Sequence, residues 1–176
     1  MMLNRIALLG AAAFLVTSSA GISQDKPAIN DAQIAHIAYT AGVIDVAAGK
    51  QALTKSKNKA VRAFAQEMVR DHQAVNVQAL ALVKKLGVTP QDNPTSAALS
   101  KQATDESRTL ARLRGAAFDR AYIANEIAYH RTVNGALKGT LIPGAHNAEL
   151  RSLLETGLTL FTEHQVHAEH LAAGMR

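Results

Sequence analysis

Apolar residues recur every three or four positions along most of this chain, the period of an α-helix with one buried face. Asn30, with Gln33 three residues later, forms a capping pair that predicts a helix start, and Ile34, Ile37, Ala41, Ile44, Ala48 and Ala52 then line one face towards an end near Lys55. Ser56 to Lys59 is a short polar corner, so the next helix is expected to fold back antiparallel. Its row is the most regular in the chain: Val61, Ala65, Met68, His72, Val75, Ala79, Leu82 and Leu86 alternate steps of four and three. Gly87 and Pro90 stop it, and Asn93-Pro94 reads as a cap followed by a first-turn proline that opens a helix from about Pro94 to Leu113. A third long row begins near Ala116 and carries Phe118, Ile123, Ile127, His130, Val133 and Leu137. Pro143-Gly144 is expected to break the chain, Asn147 to cap, and the fourth row to run Leu150, Leu153, Gly157, Leu160, His164, His167 and Leu171. The fold class is therefore all-α: a four-helix bundle over residues 30–174, with a short crossover helix between the second and third long helices.

The N-terminus breaks this pattern. Arg5, the apolar run Ile6 to Val16 and then Ser18-Ser19-Ala20 predict a secretory signal over residues 1–20, a disordered segment over 21–29 and a periplasmic or secreted product. A spanning helix needs about 20 apolar residues, so the run is too short to be an anchor, and no transmembrane segment is expected in the mature protein. With no Cys among 176 residues there is no disulfide, thiolate ligand or lipidated cysteine. The formal charge of +5 falls by one if Arg5 leaves with the signal. Its cations cluster in Lys50 to Arg62 and at Lys84-Lys85, near the expected C-termini of the first two long helices, where the helix dipole accounts for them. Trp is absent and Phe plus Tyr are scarce, so no nucleic-acid partner is expected.

Several motifs together resemble the bacterial family called domain of unknown function 4142. They are Val61-x-x-Phe64-x-x-x-Met68-Val69-x-Asp71-His72, then Gly115-Ala116-Ala117-Phe118-Asp119-Arg120-Ala121-Tyr122, then His130, and last Glu163-His164 with Ala168 and Leu171. The resemblance covers about Asp31 to Leu171 and implies an exported, ferritin-like four-helix bundle whose activity is unsettled. Asp45 stands where that family is expected to carry Glu, a shorter carboxylate with less reach into the core; Thr159 replaces an expected Pro and Gln165 an expected Leu. His167 and His170 have no counterpart in the resemblance.

The candidate chemistry comes from position. His72, His130 and His164 each lie on the apolar row of a different helix near its midpoint, and midpoints of neighbouring bundle helices share one level. Joined by Asp45, they can hold one divalent transition metal, with Zn or Cu ahead of Fe or Mn because imidazole dominates the donor set. The Glu-x-x-His hallmark of a paired-iron site is missing: Glu126–His130 and Glu163–His167 are spaced by four, and Glu67–His72 by five. The same residues also fit a metal-free hydrogen-bonded network or a proton-transfer site. Asp71, Asp119 and Tyr122 can orient imidazoles or simply mark a boundary and a helix staple. Glu126, one turn before His130, is either an extra ligand or a solvated glutamate, and His167 is a further candidate ligand one step from His164. His170, His36 and His146 are expected at the surface, and Met68 in the core. No catalytic or cofactor-binding residue is assigned, since nucleophile and phosphate-loop motifs are absent. Three functions fit: a non-catalytic metal-binding module; an envelope interaction or stress-related module that meets an envelope protein or anionic surface through Lys50 to Arg62, its histidines being structural; and a redox enzyme of ferritin-like type.

Overall fold

The computed structural model describes residues 29–175, so the expected signal and residues 21–28 of the segment after it lie outside the described residues. Helix α1 (Asp31–Lys55) starts at a capping box in which the Asn30 side chain accepts from the Gln33 backbone and Gln33 reaches back to Asn30. The α1 end is closed by Arg62, which donates to the carbonyls of Leu53 and Ser56. After the corner, Asn58 caps α2 (Lys59–Lys85), and Gly87, at φ +64°, takes the left-handed conformation that ends it. Asn93 and Ser96 form a second capping box at α3 (Pro94–Arg112), with Pro94 in the first turn.

Helix α4 (Gly115–Ala136) belongs to a helical run that breaks at Pro143-Gly144, as expected, but not as one regular helix. It continues through a π-helical turn (Leu137–Leu141) into a short α5 (Ile142–Gly144), and only then does the chain turn into α6 (Ala148–Gly174), capped by Asn147. Proline lacks an N–H, and its ring crowds the carbonyl four residues back, so it ends a regular helix. Here the turn ahead of it is widened, with the Ile142 N–H bonded to Leu137 five residues back, and Pro143 falls in the first turn of α5, where no N–H is needed.

Pairs α1/α2 and α4/α6 pack side by side, α2 against α6 joins them, and α1 also touches α4. Helix α3 lies outside this bundle, strapped along α1. It is tied near both ends: His36 meets Ser96 at 3.0 Å and Asp92 at 2.9 Å, while Gln51 and Lys55 donate to the carbonyls of Ser107 and Ala111 at 3.0 and 2.8 Å. His36, expected as an ordinary surface residue, is thus half-buried and holds the crossover.

The core forms two apolar clusters, one at each end of the bundle. One, around Val61, Phe64, Met68, Phe118, Tyr122 and Ile123, encloses these residues fully. The other, around Ile34, Ile37, Leu137, Leu150, Leu154 and Phe161, lies beside a cavity of about 290 Å³. Ile29 packs on this second cluster although it belongs to the segment expected to be disordered. On α6 the buried face is Leu150, Leu154, Gly157, Phe161, His164 and Ala168, so the expected Leu153, Leu160 and His167 are replaced by their neighbours.

Candidate metal centre

Between the two clusters lies a layer of buried polar residues. Asp45 comes from α1, His72 from α2, Glu126 and His130 from α4 and His164 from α6, each no more than 3 % exposed. Asp45, despite its short side chain, reaches two of the three imidazoles: its Oδ2 is 3.4 Å from His72 Nε2 and 3.5 Å from His130 Nε2, while it groups with Glu126 and not with His164. The three imidazoles form a nearly equilateral triangle, with ring centroids 5.3 to 5.6 Å apart. One nitrogen of each lies within 4.8 Å of one nitrogen of the others.

Each ring is oriented from one side. His130 Nδ1 donates to the Glu126 carbonyl at 3.0 Å, which fixes its tautomer and leaves Nε2 as a bare lone pair. His164 Nε2 is 3.1 Å from Asp71 Oδ2, so Nδ1 is the free position. His72 is clamped by the Phe161 ring, stacked at 4.5 Å and 10°. The free atoms, His130 Nε2, His164 Nδ1 and both nitrogens of His72, are buried without a hydrogen-bond partner, as are both Asp45 oxygens. Leaving one such group unpaired costs about 1–3 kcal/mol. His130 Nε2 and Asp45 Oδ2 face each other as two acceptors, and a proton or a cation between them removes the repulsion.

Electrostatics follow from the burial. It pushes His72 down to about 2 and His130 down to about 4; His164 is lowered by burial too, against the pull of Asp71. All three are neutral at pH 7, the form that binds metal. Burial raises Asp45 to about 8, and burial together with the Asp45 charge pushes Glu126 well above its ordinary value. Asp71, less buried, is held below its ordinary value: burial raises it, but hydrogen bonds from Arg70 and His164 outweigh that.

Other expected residues lie elsewhere. His167 is not in the core: its side chain is 43 % exposed and pairs with Glu67 at 2.8 Å. The reason is the register of α6, which turns Ala168 inward instead. Asp119 and Tyr122 are buried but, among the described residues, neither bonds to an imidazole; Tyr122 stacks on Phe118 at 6.1 Å and lies beside Glu126. His170 and His146 are exposed, as expected, and Met68 is fully buried.

Sequence reasoning missed three participants. Phe161 clamps His72, and Asn134 is buried with its amide on the Phe161 carbonyl at 3.2 Å and on Gln165 at 3.1 Å. Glu67 joins Asp71 and His164 in a further cluster nearer the surface. The signal for Asn134 was its spacing, since Asp119, Tyr122, Glu126, His130 and Asn134 form one inward row of α4 at steps of three and four. That row is polar, so a search for apolar periodicity passes over it.

A family model described as Domain of unknown function (DUF4142) matches residues 16–171. No curated protein and no solved structure matches the chain.

Proposed function

The chain belongs to the DUF4142 family, whose description assigns no activity, and from the geometry of its buried layer we propose that it is a non-catalytic metal-binding module. His72, His130 and His164 supply three nitrogens and Asp45 one oxygen to a single divalent transition metal. Zn or Cu suits this imidazole-rich set better than Fe or Mn. One observation carries the reading: His130 and His164 are each oriented on one nitrogen by an acceptor, the other nitrogen is buried and unpaired, and one nitrogen of each of the three imidazoles lies within 4.8 Å of the others. Ligating histidines are held in this way, by a carbonyl or carboxylate on the far side of the ring. Bringing the donors to about 2.0–2.1 Å from one ion requires the triangle to contract and Asp45 to move towards His164. A ferritin-like ancestry belongs to the same reading, supported by long helices that deliver ligands at mid-height around one crossover.

Elemental analysis of untagged protein after dialysis tests the proposal. One equivalent of Zn or Cu per chain is expected, lost in the His72→Ala/His130→Ala/His164→Ala protein. Equal metal content in the two proteins, or none in either, rules it out. Export is part of the proposal and rests on Ile6 to Val16 and Ser18-Ser19-Ala20; the N-terminus of protein recovered from cells is expected at Gly21.

The interaction reading through Lys50 to Arg62 has weaker support. Lys55 and Arg62 spend their charges on the backbone carbonyls that close α3 and α1, which leaves fewer cations for a partner. In the described residues no helix is long and apolar enough to cross a membrane.

A further inference from the structure

A single cation held by three imidazoles and Asp45 Oδ2 leaves part of the layer unexplained. Asp45 Oδ1, Glu126 Oε2 and the Tyr122 hydroxyl would remain buried and unpartnered. Asp45, Glu126 and His130 form a donor cluster of their own, with one atom of each within 4.8 Å of the others. Phe161 stacks on His72 in the imidazole triangle, while Asp45 and Glu126 line a cleft. Because α3 is tied to α1 at its ends and hardly touches α4, a cleft of about 410 Å³ runs beneath its middle. Asp45, Glu126 and Tyr129 line that cleft at its inner side, and Gln51, Gln102 and Asn125 line it further along.

We infer that the Asp45–Glu126 end of the layer is a second cation site, reached through the cleft between α3 and α4, that takes a hard divalent cation such as Mn²⁺ or Mg²⁺ with part of its water shell. A carboxylate pair at the wall of a cleft, its oxygens almost wholly buried, suits ions that prefer oxygen donors and give up water reluctantly, whereas the imidazole triangle suits Zn or Cu. Asp45 is shared, with Oδ2 turned to the imidazoles and Oδ1 left for the second ion. His130 has only Nε2 to offer, because its Nδ1 is committed to the Glu126 carbonyl, and that one atom is assigned to the imidazole site. This inference rests on the proposed imidazole site only for its division of labour, and the two fail separately.

Mn²⁺ titration of the mature protein, preloaded with one equivalent of Zn²⁺ and followed by electron paramagnetic resonance, tests it. One bound Mn²⁺ per chain is expected, with couplings from water protons and none from a directly ligated imidazole nitrogen. Glu126→Gln, which keeps the shape of the side chain, is expected to weaken Mn²⁺ binding at least tenfold with an unchanged circular dichroism spectrum. Filling the cleft with Ala103→Trp is expected to slow Mn²⁺ uptake at least threefold. His164→Ala is expected to lose Zn²⁺ but retain Mn²⁺, so loss of Zn²⁺ binding alone would count against the imidazole site and not against this one. Absence of bound Mn²⁺, imidazole couplings on it, undiminished binding in Glu126→Gln, or unchanged uptake in Ala103→Trp overturns the inference.

Discussion

The two ends of the bundle are built from similar residues and packed differently. At the end where α1 turns into α2, every buried apolar residue is at most 1 % exposed, including Phe64, Met68, Phe118 and Tyr122. At the opposite end Leu137, Leu141, Leu150 and Leu154 retain 3–5 %, Val75 and Leu82 are only half-buried, and the cavity of about 290 Å³ lies among them. The loose end is also where α4 widens into its π-helical turn before Pro143. Protein interiors normally leave little empty volume, so the tight end sets the helix positions that the polar layer needs, and the loose end tolerates irregular backbone. The layer is thus anchored from one side.

The largest expected contrast comes from truncating one large side chain on each side. Phe64→Ala should cost about 3–5 kcal/mol, because a closed site cannot collapse around the void. Leu154→Ala should cost about 2 kcal/mol, at the low end for such changes, since its surroundings already hold empty space and can relax into it. Urea denaturation of both variants measures this, and equal losses would break the distinction between the ends.

The pH profile of the metal-free protein probes the layer between them. His72, His130 and His164 titrate lower in the fold than when unfolded, so below about pH 6.5 the unfolded chain binds more protons and the fold loses stability as pH falls. Asp45 is raised to about 8 and Glu126 well above its ordinary value, so above their ordinary values the folded chain binds more protons, and stability falls as pH rises, for Asp45 up to about pH 8. Three imidazoles outweigh two carboxyls on the acid side, and above pH 6.5 only the carboxyls remain. Stability should therefore peak near pH 6.5, with slopes of about 1.4 kcal/mol per pH unit for each net proton. A thermal-melt series that stays flat from pH 5 to 8 would remove the buried layer from the account. Metal binding should reverse the alkaline limb, since the ion needs the carboxylates ionised.

The smallest contrast uses two glycines of α1 that make room for α2. A Cβ at Gly49 would lie 2.9 Å from Val69 Cγ2 and 3.1 Å from the Ala65 carbonyl, so backbone must yield. A Cβ at Gly42 would collide with Asn76 Oδ1 at 2.2 Å, the far end of a half-buried side chain that can swing away. Gly49→Ala should cost about 1–3 kcal/mol as overpacking. Gly42→Ala should stay within about 0.5 kcal/mol, as the gain of alanine over glycine in a helix offsets the displaced amide. Reversal of this order in chemical denaturation would show that the loose end is no more adaptable than the tight one.

Sequence alone determined the long helices, the crossover and most of their caps, though not the π-helical turn after α4, because capping boxes, corner residues and apolar period act within a few residues of chain: Asn30 with Gln33, Asn93-Pro94 and Gly87 all lie where local chemistry put them. It also singled out His72, His130 and His164, since a histidine on an apolar row is visible against its neighbours. Tertiary structure decided what periodicity left degenerate. On α6 the rows through Leu153, Leu160 and His167 and through Leu154, Phe161 and Ala168 share Leu150, Gly157 and His164 and have equivalent spacing, so only packing against α4 and α2 could choose between them. In sequence Glu126 is open in the same way between an extra ligand and a solvated glutamate, and Asp45 is expected in the layer with its reach in question, because their charge argues for the surface residue by residue. Their place in the core follows from partners on other helices, and a buried carboxylate is tolerated only where such partners, a proton or a cation meet it.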